Sequence, residues 1–74
     1  MFTKEKFGER LKELRTRHGE KQEELGEILD VSKSQVSDME NGKKTTTLEK
    51  FALICEHYQV SSDYLLGFKD QPEP

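Results

Sequence analysis

The sequence predicts an all-α chain of five short helices, and three observations carry that prediction. From Phe2 to Phe68 the apolar residues recur at helical spacing. Nowhere does an alternation of period two persist long enough to suggest a strand. Stop and start signals, each a glycine or a short polar cap beside an apolar stripe, divide the chain at close intervals. With 74 residues, 31% of them hydrophobic, one core is supported and no second domain fits.

Helix one is expected from roughly Lys4 to His18, with Phe7, Leu11 and Leu14 at i, i+4 and i+7 and a stop at His18-Gly19. Helix two follows from Gln22 to Leu29, with Leu25, Ile28 and Leu29 on one stripe. Its Glu23 and Glu24 lie in the first turn, where the helix dipole favours acids. Helix three starts at Ser32: Ser32-Lys33-Ser34-Gln35 has the capping-box spacing, and Val31 and Val36 are spaced as a hydrophobic staple. Only Asp30 and Val31 separate it from helix two, so the pair must turn sharply and pack as a helix-turn-helix. Helix three closes at Asn41-Gly42, and Lys43 to Thr45 form a polar loop. Thr46 or Thr47 caps helix four, Thr46 having Glu49 at the capping-box distance, and Leu48, Phe51, Ile54, Cys55 and Tyr58 form its stripe. Ser61 caps helix five, which runs to Leu66 before Gly67, with Val60 and Leu65 as a second staple. The folded domain thus spans 1–68, and 69–74 is expected to be a flexible, frayed tail.

Composition excludes several classes of function. Twelve Lys and Arg against 15 Asp and Glu give a net charge of -3, so bulk charge does not argue for a polyanion partner. No run approaches the roughly 18 apolar residues of a membrane span. The Met1-Phe2-Thr3-Lys4 start lacks the apolar segment of a signal peptide. Cys55 is alone, so neither a disulfide framework nor a cysteine zinc site is expected, and a reducing cytoplasm is the natural compartment. His18 and His57 stand in different segments without partners at ligand or catalytic spacing, and there is no glycine-rich phosphate loop or nucleophile-base pairing. The expectation is no enzyme, no metal and no cofactor.

Four runs stand in order without a gap: Arg10-Leu11-Lys12-Glu13-Leu14-Arg15, then Gln22-Glu23-Glu24-Leu25-Gly26, then Val31-Ser32-Lys33-Ser34-Gln35-Val36-Ser37-Asp38-Met39-Glu40-Asn41-Gly42-Lys43, then Leu48-Glu49. From Phe7 to Leu66 the chain closely resembles the phage-repressor/Cro-like helix-turn-helix family. The resemblance implies a lambda-repressor-like five-helix domain that docks on double-stranded DNA as a two-fold dimer, with the third helix in the major groove. Independently of it, Lys33, Ser34, Ser37, Asp38 and Asn41 share one arc of helix three, while Val36 and Met39 point the other way.

Position by position, the resemblance implies that Lys33, Ser34, Ser37 and Asp38 face base edges, Lys33 donating to guanine O6 or N7. It implies that Gln22 meets a phosphate at the start of helix two, and that Asn41, Lys43 and Lys44 grip the DNA backbone. Arg15 and Glu40 match a partly buried ion pair between the first and third helices. Leu11, Leu14, Leu25, Ile28, Val31, Val36, Met39, Leu48, Phe51 and Ile54 are read as core. The resemblance and the residues left over by the core stripes place a dimer surface at Tyr64, Leu66 and Phe68, although the same residues can instead complete the monomer's core.

The departures from the family pattern bear on specificity and stability. Asp38 stands where a basic or amide residue is common; its carboxylate can accept from cytosine N4, but phosphates repel it unless a cation neutralises it. Glu20-Lys21 replaces an apolar-threonine pair and removes the usual cap of helix two, at about 1 kcal/mol. Gly26 replaces alanine, at up to about 1 kcal/mol of helix propensity, and Asp30 replaces the turn glycine and must take φ > 0. The expected function is a sequence-specific transcriptional regulator, most simply a repressor, binding a palindrome as a homodimer. The alternative is a protein-interaction module, such as an antitoxin whose acidic surface a protein partner covers, which the charge of -3 and Asp38 favour.

Overall fold

The computed structural model describes residues 1–73. Its five helices are α1 (Lys4–Arg17), α2 (Gln22–Leu29), α3 (Lys33–Glu40), α4 (Leu48–Tyr58) and α5 (Ser62–Leu66). Each start has a local cause. The Thr3 hydroxyl accepts from the Lys6 N–H at 3.1 Å. Ser32 Oγ accepts from the Gln35 N–H at 3.1 Å while Gln35 Oε1 accepts from the Ser32 N–H at 2.9 Å, completing the capping box. Thr47 rather than Thr46 caps α4, accepting from the Lys50 N–H at 3.2 Å, and Ser61 Oγ accepts from the Asp63 N–H at 3.1 Å. At α2 a lysine holds the cap position and has no acceptor to offer, yet Glu24 Oε1 reaches back to accept from the Lys21 N–H at 2.8 Å. Half of the reciprocal box therefore survives, which offsets part of the cost expected from losing the cap. Asp30 takes the left-handed conformation, φ 57°, that the two-residue turn into α3 demands.

α3 packs on both α1 and α2, α5 lies on α1, and α4 packs on α2 and α5. The shared core comprises Phe7, Leu11 and Leu14 of α1, Leu25 and Leu29 of α2, Val36 and Met39 of α3, Ile54 and Tyr58 of α4, and Tyr64 and Leu65 of α5. Two residues expected in the core lie outside it: Ile28 is 38% exposed and Leu48 is 82% exposed. Helix geometry gives the reason. With Ile54 fully buried, Tyr58, Phe51, Cys55 and Leu48 lie progressively farther round α4, at roughly 40°, 60°, 100° and 120°. Burial falls along that series, Tyr58 being buried, Phe51 and Cys55 half-buried and Leu48 exposed. On α2 the buried arc runs through Leu25, Leu29 and Gly26, and Ile28 lies on its far side.

One helix crossing and one helix-to-turn contact are too close for a side chain. A methyl group on Gly8 would collide with the backbone carbonyl of Met39 and lie 2.7 Å from that of Glu40, so α1 meets the end of α3 backbone to backbone. A methyl on Gly26 would lie 2.7 Å from the Val31 carbonyl oxygen. Gly26 is thus a packing requirement of this chain as well as a propensity cost.

The segment after Phe68, expected to fray, lies against the body at several points. Arg10, whose guanidinium lies over the Tyr64 ring 4.2 Å from its centroid, donates to the Tyr64 and Lys69 carbonyls and stands 3.4 Å from the Asp70 carboxylate. The Ser61 N–H donates to the Pro72 carbonyl at 3.1 Å. No helix among the described residues is long and apolar enough to cross a membrane.

The α1–α3 crossing yields a stability prediction. Gly8→Ala should lower the unfolding free energy by about 1–3 kcal/mol in urea titration, because the collision outweighs the gain in helix propensity.

Candidate nucleic-acid interface

α3 presents two unlike faces. Val36, Met39 and Glu40 are buried, whereas Lys33, Ser34 and Asn41 are exposed and Ser37 and Asp38 are half-exposed. The polar arc expected from periodicity is therefore a real surface of short donors and acceptors on a helix fixed from behind by α1 and α2.

What fixes it is the carboxylate of Glu40, whose side chain is only 1% exposed. Arg15 meets it with a two-pronged fork, Nε to Oε2 at 2.6 Å and Nη2 to Oε1 at 3.0 Å. The third arm of the guanidinium donates to the Glu20 carbonyl at 2.7 Å, and Gln22 Nε2 donates to Glu40 Oε1 at 3.0 Å. The ion pair thereby ties the end of α3 to α1, to the α1–α2 loop and to the start of α2. Gln22, implied by the resemblance to meet phosphate, has one amide hydrogen committed to Glu40, because a buried carboxylate must collect donors. Its second amide hydrogen is left for a ligand.

The charges of the face compensate one another. Lys44 Nζ lies 4.0 Å from Asp38 Oδ2, and Lys33 Nζ lies 4.0 Å from Glu23 Oε1. The cation that Asp38 requires is thus Lys44, held beside it because the Lys43 and Lys44 N–H groups both donate to the Asp38 carbonyl, at 2.9 and 3.4 Å. Among the described residues Lys43 makes no ion pair. Asn41 Nδ2 donates to Ser37 Oγ at 3.2 Å, leaving its amide oxygen free of that bond.

The three residues expected at a dimer surface part company. Tyr64 is 6% exposed beneath Arg10 and belongs to the core, because its ring fills the space between α1 and α5 and is closed off by the guanidinium. Leu66 is half-buried and Phe68 is 60% exposed. Leu66 lines an open apolar groove of about 330 Å³ together with Phe2, Phe7, Leu48 and Phe51, so Leu48, expected inside, is instead on its rim.

One cluster was invisible to spacing rules. Glu20 receives a hydrogen bond from His57 Nε2 at 2.5 Å and another from the Tyr58 hydroxyl at 2.6 Å. His18 lies edge-on to Tyr58 with ring centroids 4.9 Å apart, and its ring is 6.3 Å from that of His57. Nδ1 of His18 donates to the Leu14 carbonyl at 3.0 Å. The contact is not one that ligand or catalytic spacing could show: the fold joins residues 37 and 38 positions apart. The one sequence signal was the acidic residue at position 20, where the family has an apolar one. Burial pushes the Glu20 carboxyl up, but the hydrogen bonds from Tyr58 and His57 outweigh it and hold the group below its usual value. Burial and the Glu20 bond push the Tyr58 phenol far above its ordinary range.

Two outcomes follow for stability. Arg15→Ala should lower the unfolding free energy by about 3–5 kcal/mol, since it strands the Glu40 carboxylate, whereas Arg15→Met with Glu40→Leu should recover most of the loss in the same urea titration. Glu20 binds a proton less readily folded than unfolded, so its contribution is complete above the unfolded value of 4.5 and is lost as pH falls through the lower folded value. Unfolding measured from about pH 7 to about pH 3 should show the gap between wild type and Glu20→Gln closing below that value.

A helix-turn-helix family profile matches residues 11–65. The chain is 36% identical over 68 residues to YobD, an uncharacterised helix-turn-helix-type transcriptional regulator of Bacillus subtilis, covering 92% of this chain and 61% of that protein. It is 38% identical over 61 residues to BcrR, a helix-turn-helix-type transcriptional activator of Enterococcus faecalis, covering 82% of this chain and 30% of that one. Among solved structures it is similar to the P22 c2 repressor in complex with a synthetic operator, with a TM-score of 0.78 and 28% identity, covering 85% of this chain and 96% of that one. The architecture is that of the lambda-repressor-like fold. The chain therefore belongs to the helix-turn-helix family of phage-repressor/Cro-like type, a family of transcriptional regulators and not of enzymes.

Proposed function

We propose that this chain is a sequence-specific DNA-binding module of a transcriptional regulator, working as a homodimer on a palindromic operator with α3 in the major groove. The observation that carries the reading is the exposed polar arc of α3, Lys33, Ser34, Ser37 and Asp38, on a helix whose opposite side is locked by the Arg15–Glu40 pair. A ridge of short polar side chains on a rigid helix suits reading of base edges. The solved P22 c2 repressor, bound to a synthetic operator, supports an operator as the ligand. In this reading Lys43 and Asn41 take phosphates, Gln22 gives its free amide hydrogen and the α2 N-terminal donors to another, and Lys44 serves Asp38 as well as the backbone. Leu66, with Phe2 and Leu48 beside it, and the exposed Phe68 form the dimer contact, and Tyr64 supports it from within. Repression by promoter occlusion is the simplest output, and a role on the chromosome places the protein in the cytoplasm. The chain spans 61% of YobD and 30% of BcrR, so the output of any longer protein is part of the proposal.

A second reading, a module held by a protein partner, is favoured by one observation: two lysines of the α3 face are matched by carboxylates. Selection from a randomised duplex library at low and near-physiological salt separates the two. Recovery of a two-fold palindrome is the result expected; enrichment of nothing over background favours the protein partner.

On the recovered site, log affinity should fall steeply with log salt, and Lys43→Ala should weaken all sequences about equally while reducing the slope by about 1. Asp38→Asn should instead shift base preference, by about 1–3 kcal/mol at one position.

A further inference from the structure

We propose that Glu20 is a positioning residue for the DNA-facing start of α2, tethering it to α4 through His57 and Tyr58, and that a proton on His57 tightens the tether. The proposal rests on the DNA-binding reading above, and it concerns a position where the resemblance implies an apolar residue and this chain has a titratable one. Glu20 lies two residues before α2. Its carboxylate is fixed to α4 by His57 at 2.5 Å and Tyr58 at 2.6 Å, and its carbonyl to α1 by Arg15 at 2.7 Å. From Arg15 the bonds run on without a break to Glu40 and from Glu40 to the Gln22 amide, at 2.6 and 3.0 Å. His57 at the end of α4 is thus joined by hydrogen bonds to the residue that would meet a phosphate.

An apolar residue at position 20 would hold the loop by packing alone, and packing does not respond to pH. The carboxylate does so through its partner. Neutral His57 in its Nε2–H tautomer gives the Glu20 carboxylate a hydrogen bond in which only the acceptor is charged; the imidazolium makes both partners charged and adds their mutual attraction. The charged and titratable groups around this contact are Arg15 from α1, His18 just after it, Glu40 from α3, and Tyr58 beside His57 on α4. Arg15 and Glu40 compensate each other, and Tyr58 stays a neutral donor. Phosphate binding at the start of α2 selects the tethered state, so a proton that favours tethering raises affinity for DNA.

The test is fluorescence anisotropy with a mixed-sequence duplex of about 20 base pairs at low salt, which reads phosphate contacts independently of base sequence. The wild type should bind about threefold more tightly at about pH 6 than at about pH 8, and both Glu20→Gln and His57→Gln should be nearly flat. Glu20→Gln leaves His57 free to titrate, so an undiminished pH effect in that variant would show mere added positive charge and overturn the proposal. Should Glu20→Gln fail to fold, Glu20→Leu restores the apolar contact and should give the same flat profile. In parallel, the Gln22 side-chain amide signals, followed by NMR in the free protein, should move with the His57 ring titration in wild type and stand still in the variant. Gln22 signals that ignore His57 in wild type would overturn the tether even where DNA binds. A wild type that binds no duplex while Gln22 still follows His57 would refute the DNA reading and leave the tether standing.

Discussion

Glu40 sets a carboxylate where α1, α2 and α3 converge, 1% exposed, and a charge so placed is tolerable only if donors surround it. Arg15 supplies two and Gln22 a third. Because those donors come from α1 and from the first residue of α2, satisfying the charge also fixes the three helices relative to one another. Such a pair adds little net stability over an apolar substitute, since both partners lose their water. Its consequence is orientation: the fork has one good geometry, whereas a leucine contact has several. The backbone collision that excludes a side chain at Gly8 acts at the same crossing, so steric contact and ion pair constrain the end of α3 together.

The face that α3 offers is polar without being strongly basic. Exposed ion pairs of the kind formed by Lys33 with Glu23 and Lys44 with Asp38 contribute little to stability, because water and salt screen them. They do alter what the face presents to a polyanion. Each matched carboxylate lowers the local positive potential, so recognition depends on the placement of a few donors and acceptors more than on charge. That is consistent with a chain of net charge -3 in a family of transcriptional regulators.

The Glu20 cluster and the Arg15–Glu40 pair share Arg15 as their junction. One end is buried and geometrically rigid; the other carries the partly exposed imidazole of His57 beside the buried Tyr58. Around this line the apolar core provides the cohesion. Two apolar residues that the core did not absorb, Leu48 and Phe2, meet along one groove with Leu66.

What the sequence by itself determined is mostly local. Helix caps, the capping box at Ser32, the sharp two-residue turn before it, and the polar and apolar arcs of α3 depend on residues within one or two turns, so spacing reveals them; φ > 0 at Asp30 was implied by the family resemblance. The Arg15–Glu40 pair, 25 positions apart, was legible only through the family resemblance. Tertiary structure decided the rest. Ile28 and Leu48 carry the right residue type at the right period, but how far a helix is rotated toward its neighbours depends on crossings that periodicity does not contain. Likewise Glu20 meets His57 and Tyr58, Arg10 meets the chain beyond Phe68, and Lys44 stands by Asp38. A hydrogen bond is satisfied by whichever partner the fold brings within about 3 Å, and separation along the chain carries no memory of that distance.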